Sequence, residues 1–263
     1  MRTRVTEFRA DGERRHEDRL ATEEPLEIRL AWPGAEPRRV WVTMRTPGHD
    51  FELAAGWVVH EGVARSVRTI AYCTDVALAP EQDFNVVTVT LEGPPLRDLG
   101  HRHHAMSAGS SACGVCGKDS IADALATPAG LAWSGALPTP DVVRRLPTAV
   151  RSAQPTFDVT GGVHAAALAT SDGELLVVRE DVGRHNAVDK VTGSRLMAGS
   201  PAAEACLFVS GRAGFELVQK AVTAGVGSLV SVGAPTSLAV DLARRAGLVL
   251  YGFAGAERTV RYS

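Results

Sequence analysis

Two strand-turn-helix units near the end of the chain constrain its fold more than any other feature. The apolar runs Cys206–Ser210 and Ser228–Val232 each lead into a glycine-containing turn, at residues 211–215 and 233–237. Strands that alternate with helices in this way pair in parallel, and their turns gather at one edge of the sheet. The sequence therefore predicts an α/β domain with a largely parallel sheet.

Turns at the carboxyl edge of such a sheet are suited to anion binding. Backbone amides between Gly211 and Gly214, the charge of Arg212 and a helix that starts near Pro235 could hold phosphate groups, since proline suits the first helical position. The same glycines would also be found in tight turns that bind nothing. Residues 117–119 do not form a phosphate loop, because the upstream glycine and a following Ser or Thr are missing.

The preceding part of the chain predicts a smaller α+β roll. A helix is expected over residues 51–61, with Asp50 as its N-cap and Gly62 at its end. Its inner face would carry Leu53, Trp57 and Val58. Alternating apolar and polar residues predict two strands before this helix and two after it, at residues 26–30, 40–44, 69–73 and 85–91.

Four segments follow from these patterns. Residues 1–22 are charged without apolar periodicity and are expected to be a mobile or loosely docked lead-in. Residues 23–106 form the roll. Residues 107–138 comprise a cysteine loop, a short helix and a connector, and residues 139–263 form the α/β domain.

The α/β domain is expected to begin with a helix over residues 140–153 and a strand pair at 162–169 and 174–179. The next helix, capped by Asp181, would place Asp181, His185 and Asp189 on one face. That face is either solvated, with ordinary ion pairs, or able to hydrogen-bond a heterocycle. A final hairpin over residues 248–262 would carry Phe253 and Arg258 at its tip, where they could stack on a base and hold a phosphate, although an ordinary hairpin would look similar.

Cys113 and Cys116 lie in a loop of small residues that can neither fill a core nor hold regular structure. The thiols should be accessible, and the following Lys118 and helix start favour the reactive thiolate. Half of a zinc site is the alternative. Nearby imidazoles could complete that site or remain solvated; they belong to His101, His103 and His104.

Composition narrows the function classes. The formal net charge of -2 argues against a general nucleic-acid binder, and no apolar run is long enough to span a membrane. The N-terminus lacks the apolar core of a signal peptide, so the cytoplasm is the expected compartment. Four cysteines are too few for a disulfide scaffold, and Cys73 and Cys206 are expected to be ordinary buried residues.

An ordered set of motifs over residues 22–262 resembles the formate dehydrogenase accessory sulfurtransferase family, FdhD. A series of this length is far more specific than one cysteine pair. The motifs are Glu24-Pro-Leu, Thr46-Pro-Gly-His-Asp50, Glu61-Gly62, Ser110-Ser-Ala-Cys-Gly-Val-Cys-Gly117, Thr160-Gly-Gly-Val-His164, Arg179-Glu-Asp-Val-Gly-Arg-His-Asn-Ala-Val-Asp-Lys190, Ser210-Gly-Arg and Gly233-Ala-Pro-Thr-Ser-Leu-Ala.

The resemblance implies a C-terminal cytidine-deaminase-like αβα domain preceded by a smaller, ubiquitin-like α+β roll. It implies no deamination, because Ala165 and Ala166 follow His164 where a deaminase has His-x-Glu. It implies instead a sulfurtransferase that accepts persulfide sulfur from a cysteine desulfurase. The sulfur would pass to the molybdenum bis(molybdopterin guanine dinucleotide) cofactor, bound as a substrate and mimicked in part by a guanine nucleotide, before the cofactor enters formate dehydrogenase.

By the same resemblance, Cys113 carries the persulfide and Cys116 is its partner. The expected cofactor-binding residues are Phe253, Ala254, Gly255, Ala256, Glu257 and Arg258, together with Arg212. We expect a homodimer, no resident metal, and no nucleic-acid or membrane partner. The alternatives are a zinc-stabilised Cys/His binding module and a guanine-nucleotide-binding regulator whose cysteine loop senses redox state.

Overall fold

The computed structural model describes residues 1–74, 84–97 and 133–263. Helices within these ranges are α1 (Asp50–His60), α2 (Pro140–Arg151), α3 (Pro155–Thr160), α4 (Arg184–Met197), α5 (Phe215–Thr223) and α6 (Ser237–Ala246). Strands within them are β1 (Arg2–Arg9), β2 (Gly12–Arg19), β3 (Glu24–Trp32), β4 (Ala35–Arg45), β5 (Thr69–Tyr72), β6 (Val86–Thr90), β7 (His164–Ala169), β8 (Leu175–Asp181), β9 (Cys206–Val209), β10 (Ser228–Ser231), β11 (Val249–Gly252) and β12 (Val260–Arg261).

The N-terminal residues form an antiparallel hairpin of β1 and β2. The sequence did not predict these strands, because charged side chains hide the alternation that marks a half-buried strand. Most of the hairpin's side chains, including Phe8, are exposed. The hairpin is therefore held mainly by its own backbone ladder, and its mobility stays a prediction.

The small domain is a four-stranded sheet in the order β4-β3-β6-β5, with β3 and β6 parallel. The predicted hairpin and the two later strands are confirmed, and the strands of the hairpin are longer than expected. Helix α1 packs on this sheet through Leu53, Trp57 and Val58, as predicted. Trp57 also stacks on Trp41 of β4, with 5.5 Å between the ring centroids.

The start of α1 differs from the prediction. His49, in the left-handed conformation with φ 58°, occupies the N-cap position, and no side chain caps the helix. Asp50 is the first helical residue, and its carboxylate accepts hydrogen bonds from the Arg45 guanidinium at 2.9 and 3.0 Å. The predicted Asp50 cap is therefore wrong, because a buried cation competes successfully for the carboxylate. Gly62, with φ 66°, lies just beyond the end of α1.

The large domain is built on a six-stranded sheet in the order β12-β11-β10-β9-β7-β8. Strands β9, β10 and β11 are parallel, as the strand-turn-helix units predicted. The prediction of a largely parallel sheet is wrong, because β7 runs antiparallel to β8 and β9, and β12 runs antiparallel to β11. Alternate strand residues form two cores on opposite faces of the sheet. One core contains residues of α4, α5 and α6, and the other contains residues of α2.

Local predictions in the large domain are confirmed for the first helix, the strand pair and the final hairpin, within a few residues at their ends. The short helix α3 was not predicted. Pro235 is not the first helical residue, because the Thr236 side chain caps α6 and the helix begins at Ser237. Pro235 instead forms a β-bridge with Ala213 in the neighbouring turn.

Helices α1 and α4 pack against each other and join the two domains. The Arg179 guanidinium in β8 reaches across to the Glu52 carboxylate in α1, at 2.6 and 2.7 Å. The Thr46 amide donates a hydrogen bond to the Asp181 carboxylate at 3.1 Å. The Thr46 hydroxyl accepts a hydrogen bond from the Val182 amide. The loop before α1 therefore lies beside the edge of the large sheet where β8 ends.

Candidate site at the carboxyl edge of the large sheet

Three consecutive turns at one edge of the large sheet are tied together by backbone hydrogen bonds. The Gly233 amide donates to the Gly211 carbonyl at 2.9 Å, and the Phe253 amide donates to the Gly233 carbonyl at 3.2 Å. The Thr236 amide donates to the Ala213 carbonyl at 3.1 Å. The turns after β9, β10 and β11 thus form one continuous, hydrogen-bonded rim.

The turn after β11 holds the predicted aromatic and guanidinium pair. Phe253 adopts the left-handed conformation, with φ 51°, and the Arg258 guanidinium lies 4.6 Å from its ring centroid. A hydrogen bond from the Gly255 amide to the Arg258 carbonyl closes the tip. Residues 256–258 are exposed, whereas Ala254 is buried in the core. The tip therefore offers a guanidinium face stacked on an aromatic ring.

Arg212 belongs to the same rim. Its side chain covers Gly233, where a Cβ atom would lie 2.9 Å from the Arg212 Cγ. Neither Arg212 nor Arg258 has a carboxylate partner within the described ranges. The structure thus brings Arg212 and the 253–258 tip to one edge, and their binding of a cofactor stays a prediction.

Asp181, which the sequence predicted as a helix cap, is the last residue of β8, and Gly183 occupies the N-cap of α4. The Asp181 carboxylate accepts hydrogen bonds from the backbone amides of Thr46 and Gly183. It also pairs with the Lys190 ammonium at 2.7 Å. Asp181 therefore links the two domains, because its carboxylate oxygens bind groups from both of them.

Asp189 and His185 are also buried, so the interpretation of this face as solvated is wrong. Asp189 accepts from His60 Nδ1 of α1 and from Lys220 Nζ of α5, both at 2.5 Å. Burial raises the pKa of Asp189, but the Lys220 charge and the His60 hydrogen bond outweigh this and leave the pKa below its ordinary value. Burial and the Lys220 charge lower the pKa of His60, against the opposing Asp189 carboxylate.

His185 lies one turn before Asp189, and its Nε2 is 3.0 Å from the Glu216 carboxylate at the start of α5. The two pairs, His185 with Glu216 and Asp189 with Lys220, form successive contacts between α4 and α5. His60 was not identified from the sequence, because its partner lies 129 residues away. These groups stabilise the packing of three helices. The carboxylates of Asp181 and Asp189 both bind other groups of the protein.

His164 and Arg184 occupy the other end of the rim, beside the turn after β9. The His164 Nδ1 lies 3.4 Å from the Ser210 hydroxyl oxygen, which accepts a hydrogen bond from the Ala165 amide. Burial lowers the pKa of His164, and the nearby charges of Arg184 and His185 lower it further. The sequence indicated His164 and Arg184 only as parts of two family motifs.

The two cysteines outside the predicted loop differ in their burial. Cys206 is buried as predicted, and burial raises the pKa of its thiol to about 12. Cys73 is only half-buried, which corrects the prediction, and its Sγ lies 3.7 Å from an Arg29 guanidinium nitrogen. Cys113, Cys116 and the three histidines at 101, 103 and 104 lie outside the described residues.

Two kinds of structural feature are absent from the described ranges. No group of three or more His, Cys, Asp or Glu side chains is placed to hold a metal ion there. Helices long and apolar enough to cross a membrane are likewise absent from those ranges. The zinc alternative depends on residues beyond them and stays open.

The fold and the rim define an α/β protein of two joined domains, with cationic and glycine-lined turns at one sheet edge. The model of the FdhD/NarQ family matches residues 21–263, so the chain belongs to this family, and the predicted resemblance is confirmed.

Curated relatives match nearly the whole chain. Over 260 residues the chain is 46% identical to the sulfur carrier protein FdhD of Streptomyces avermitilis, covering 96% of this chain and 89% of the relative. It is 43% identical to the protein of that name from Mycobacterium tuberculosis, covering 95% and 91% of the two chains. A crystal structure described as a formate dehydrogenase accessory protein from Desulfotalea psychrophila has 24% identity and a TM-score of 0.74, covering 100% and 96%. That structure supports the fold alone.

Proposed function

We propose that the protein is a sulfur carrier that supplies sulfur to a molybdenum cofactor on its way into formate dehydrogenase. The observation that carries this proposal is the 46% identity to sulfur carrier proteins over 96% of the chain. The Cys113-Gly-Val-Cys116 pair provides the thiols that such a role requires. A cytoplasmic homodimer with a cytidine-deaminase-like large domain and a ubiquitin-like roll belongs to the same proposal.

The loading step is a thiol exchange with a cysteine desulfurase. The Cys113 thiolate attacks the terminal sulfur of the donor's persulfide, so that a new sulfur–sulfur bond forms on Cys113. The donor's sulfur–sulfur bond breaks, and its cysteine leaves as a thiolate. Sulfane sulfur moves between two cysteines without net oxidation or reduction.

The release step needs two electrons, because sulfur must leave as sulfide. The Cys116 thiolate attacks the Cys113 sulfur, a disulfide forms between the two residues, and hydrosulfide leaves toward the molybdenum. The cysteine pair is oxidised by two electrons while the sulfane sulfur is reduced. A cellular thiol reductant then restores both thiols for another cycle.

The substrate that receives the sulfur is molybdenum bis(molybdopterin guanine dinucleotide), which we assign to the rim of the large sheet. The guanidiniums of Arg212 and Arg258, which have no carboxylate partner in the described ranges, fit its phosphates. The ring of Phe253 lies against the Arg258 guanidinium plane, on which a base can stack. Residues 254–257 complete the tip. A guanine nucleotide represents one arm of this substrate and serves as a partial mimic.

Incubation with a cysteine desulfurase and free cysteine, followed by intact mass measurement, tests the carrier role. The wild-type protein should gain sulfur that a thiol reductant removes. Cys113→Ala should abolish this gain, whereas Cys206→Ala should retain it, because Cys206 is buried in the core. No sulfur on the wild type, or unchanged sulfur on Cys113→Ala, would contradict the proposal.

A second experiment separates loading from delivery. Arg258→Gln should load sulfur normally but bind guanosine diphosphate more weakly and fail to activate formate dehydrogenase. Arg245→Gln, at an exposed position in the last turn of α6, is the matched control and should leave both steps intact. Normal nucleotide binding by Arg258→Gln would remove the tip from the proposed cofactor site.

A further inference from the structure

The N-terminal hairpin leaves the outer edge of β2 without a strand partner in the described parts of the chain, because its sheet contains β1 and β2 alone. Residues of both strands, Arg2 and Arg19, border the same small cavity as Val159 and Thr160 of α3. Helix α3 thus faces the base of the hairpin across both strands, and the β2 edge stays open. A two-stranded hairpin is marginally stable in water, and further strands would add to its stability.

The register of the hairpin determines which backbone groups of β2 point outward. The Leu20 amide donates to the Met1 carbonyl at 2.9 Å, and the Met1 amino group donates to the Leu20 carbonyl at 3.0 Å. Hydrogen-bonded and non-hydrogen-bonded pairs alternate along an antiparallel ladder, and this ladder has no register shift. The residues of β2 whose N–H and C=O groups point away from β1 are therefore Glu13, Arg15, Glu17 and Arg19.

The charges of β2 are arranged with opposite signs about His16. Residues 13–15 precede this histidine as Glu-Arg-Arg, and residues 17–19 follow it as Glu-Asp-Arg. At each step away from His16, the two sides carry opposite charges. A strand with this order is complementary to a second copy of itself that runs antiparallel. The opposing positions are Arg15 with Glu17, Arg14 with Asp18, and Glu13 with Arg19.

Most of these charges are available for a new contact. The side chains at residues 13–15 and 17–19 are exposed. Arg14, Arg15 and Arg19 have no ion pair in the described ranges. Glu17 has only the Arg2 guanidinium at 3.8 Å, between side chains that are each more than half exposed. Exposed pairs of this kind contribute little to stability.

We infer that the outer edge of β2 pairs with the same edge of a second copy of this chain, antiparallel and centred on His16. The backbone fits this register, because Arg15 and Glu17 both direct their N–H and C=O groups outward and exchange hydrogen bonds across the two-fold axis. Glu13 and Arg19 do the same. The two hairpins then form one continuous sheet in the order β1-β2-β2-β1, and every opposite-charge pair occurs twice by symmetry.

Neighbouring registers are disfavoured. The backbone pattern permits shifts by two residues, but one such shift places Arg15 opposite Arg15 of the second copy and Glu17 opposite Glu13. The other places Arg15 opposite Arg19 and Glu17 opposite Glu17. Like charges directly opposite each other destabilise a strand pair. Charged residues on an edge strand usually prevent strand addition, and here their order permits one register of one partner.

The hairpin precedes residues 21–263, which the family model matches, so this contact goes beyond the proposed function. Sulfur loading of the chain should therefore be the same in variants of the hairpin. Because the pairs are exposed ion pairs, association through β2 should also weaken as the salt concentration rises.

Sedimentation equilibrium of the full-length chain over a range of protein concentrations tests the pairing. Glu13→Arg and Arg19→Glu should each weaken association about tenfold, corresponding to about 1.4 kcal/mol, because each places like charges opposite each other twice. Neither change adds a like-charge pair within the hairpin, where Glu13 lies opposite Phe8 and Arg19 lies opposite Arg2.

The double variant Glu13→Arg/Arg19→Glu brings opposite charges together again and should associate as the wild type does. Arg245→Glu, at an exposed position of α6, is the matched control and should leave association unchanged. Equal association of the wild type and both single variants would overturn the pairing. A double variant as weak as the single variants would overturn it as well.

A thiol at position 16 tests the location of the two-fold axis. The two His16 residues form a non-hydrogen-bonded pair in this register, where opposing Cα atoms lie about 4.5 Å apart and a disulfide can form. Oxidised glutathione should therefore link two copies of His16→Cys, and peptide mapping distinguishes this link from those of other cysteines. Arg14→Cys is the control, since Arg14 lies opposite Asp18 and should not link to itself. Equal linking of the two variants would contradict the register.

Discussion

Gly56 of α1 and Gly193 of α4 meet where the two domains cross. A Cβ atom on Gly56 would overlap the backbone carbonyl of Asp189, and one on Gly193 would overlap the carbonyl of Glu52. Only hydrogen in place of a side chain permits this approach. The close crossing also brings Glu52 to Arg179 and His60 to Asp189, so the polar contacts between the domains depend on it.

Gly56→Ala should therefore destabilise the protein by about 1–3 kcal/mol or more, because the colliding atoms are backbone and cannot rotate away. Urea unfolding followed by circular dichroism measures the change. Gly93→Ala is the matched control, since a Cβ atom there meets nothing within 4 Å. Equal stability of the two variants would contradict the close crossing.

The buried His60 should make stability depend on pH. Its pKa is lowered in the folded state, so the unfolded chain binds a proton near the ordinary value of 6.5 that the folded chain does not bind. Stability is then fully present above this pH and is lost as the pH falls below it, by up to about 1.4 kcal/mol per pH unit for one histidine. The lowered pKa values of His49 and His164 act in the same direction.

Urea unfolding between about pH 5 and pH 8 checks this dependence. His60→Asn keeps a hydrogen-bond donor near Asp189 but cannot titrate, so its stability should fall less steeply with acid. His16→Asn, in the N-terminal hairpin, should keep the wild-type slope. The same slope in His60→Asn and in the wild type would show that His60 does not carry the effect.

The Cys206 thiol should resist alkylation in the native protein. Burial raises its pKa to about 12, which leaves very little thiolate at about pH 8, and the side chain has no access to solvent. Peptide mapping after brief treatment with iodoacetamide should find Cys206 unmodified, and denaturant should make it reactive. The half-buried Cys73 serves as the internal comparison. Native modification of Cys206 faster than Cys73 would contradict the packing of β9.

Local patterns in the sequence predicted several elements correctly because their causes are local. The alternation around Leu26 to Leu30 marks a half-buried strand, and the apolar runs before Gly211 and Gly233 mark buried strands that lead into turns. Parallel pairing follows from the alternation of strand and helix. The family resemblance added the expected roles of the cysteine pair and the 253–258 tip, and family membership is confirmed.

The roles of the charged residues required the tertiary structure. Asp50 and Asp181 both have the local appearance of helix caps, but each is buried beside a cation, at Arg45 and Lys190, and pairs with it. His60 and Asp189 are hydrogen-bonded only because α1 crosses α4. A charged side chain pairs with a group that is close in space, whatever the separation in sequence. Burying a charge without such a partner would cost much free energy of desolvation.

The amino-acid sequence by itself thus determined most of the helices and strands, the parallel core of the large sheet and the family, all of which depend on local patterns or on motif order. The tertiary structure decided which ionisable groups pair with each other where the domains join, and which have no partner of opposite charge in the described ranges. Arg184 belongs to the second kind, because the start of α4 lies beside Gly211 and the Asp181 carboxylate is held by Lys190.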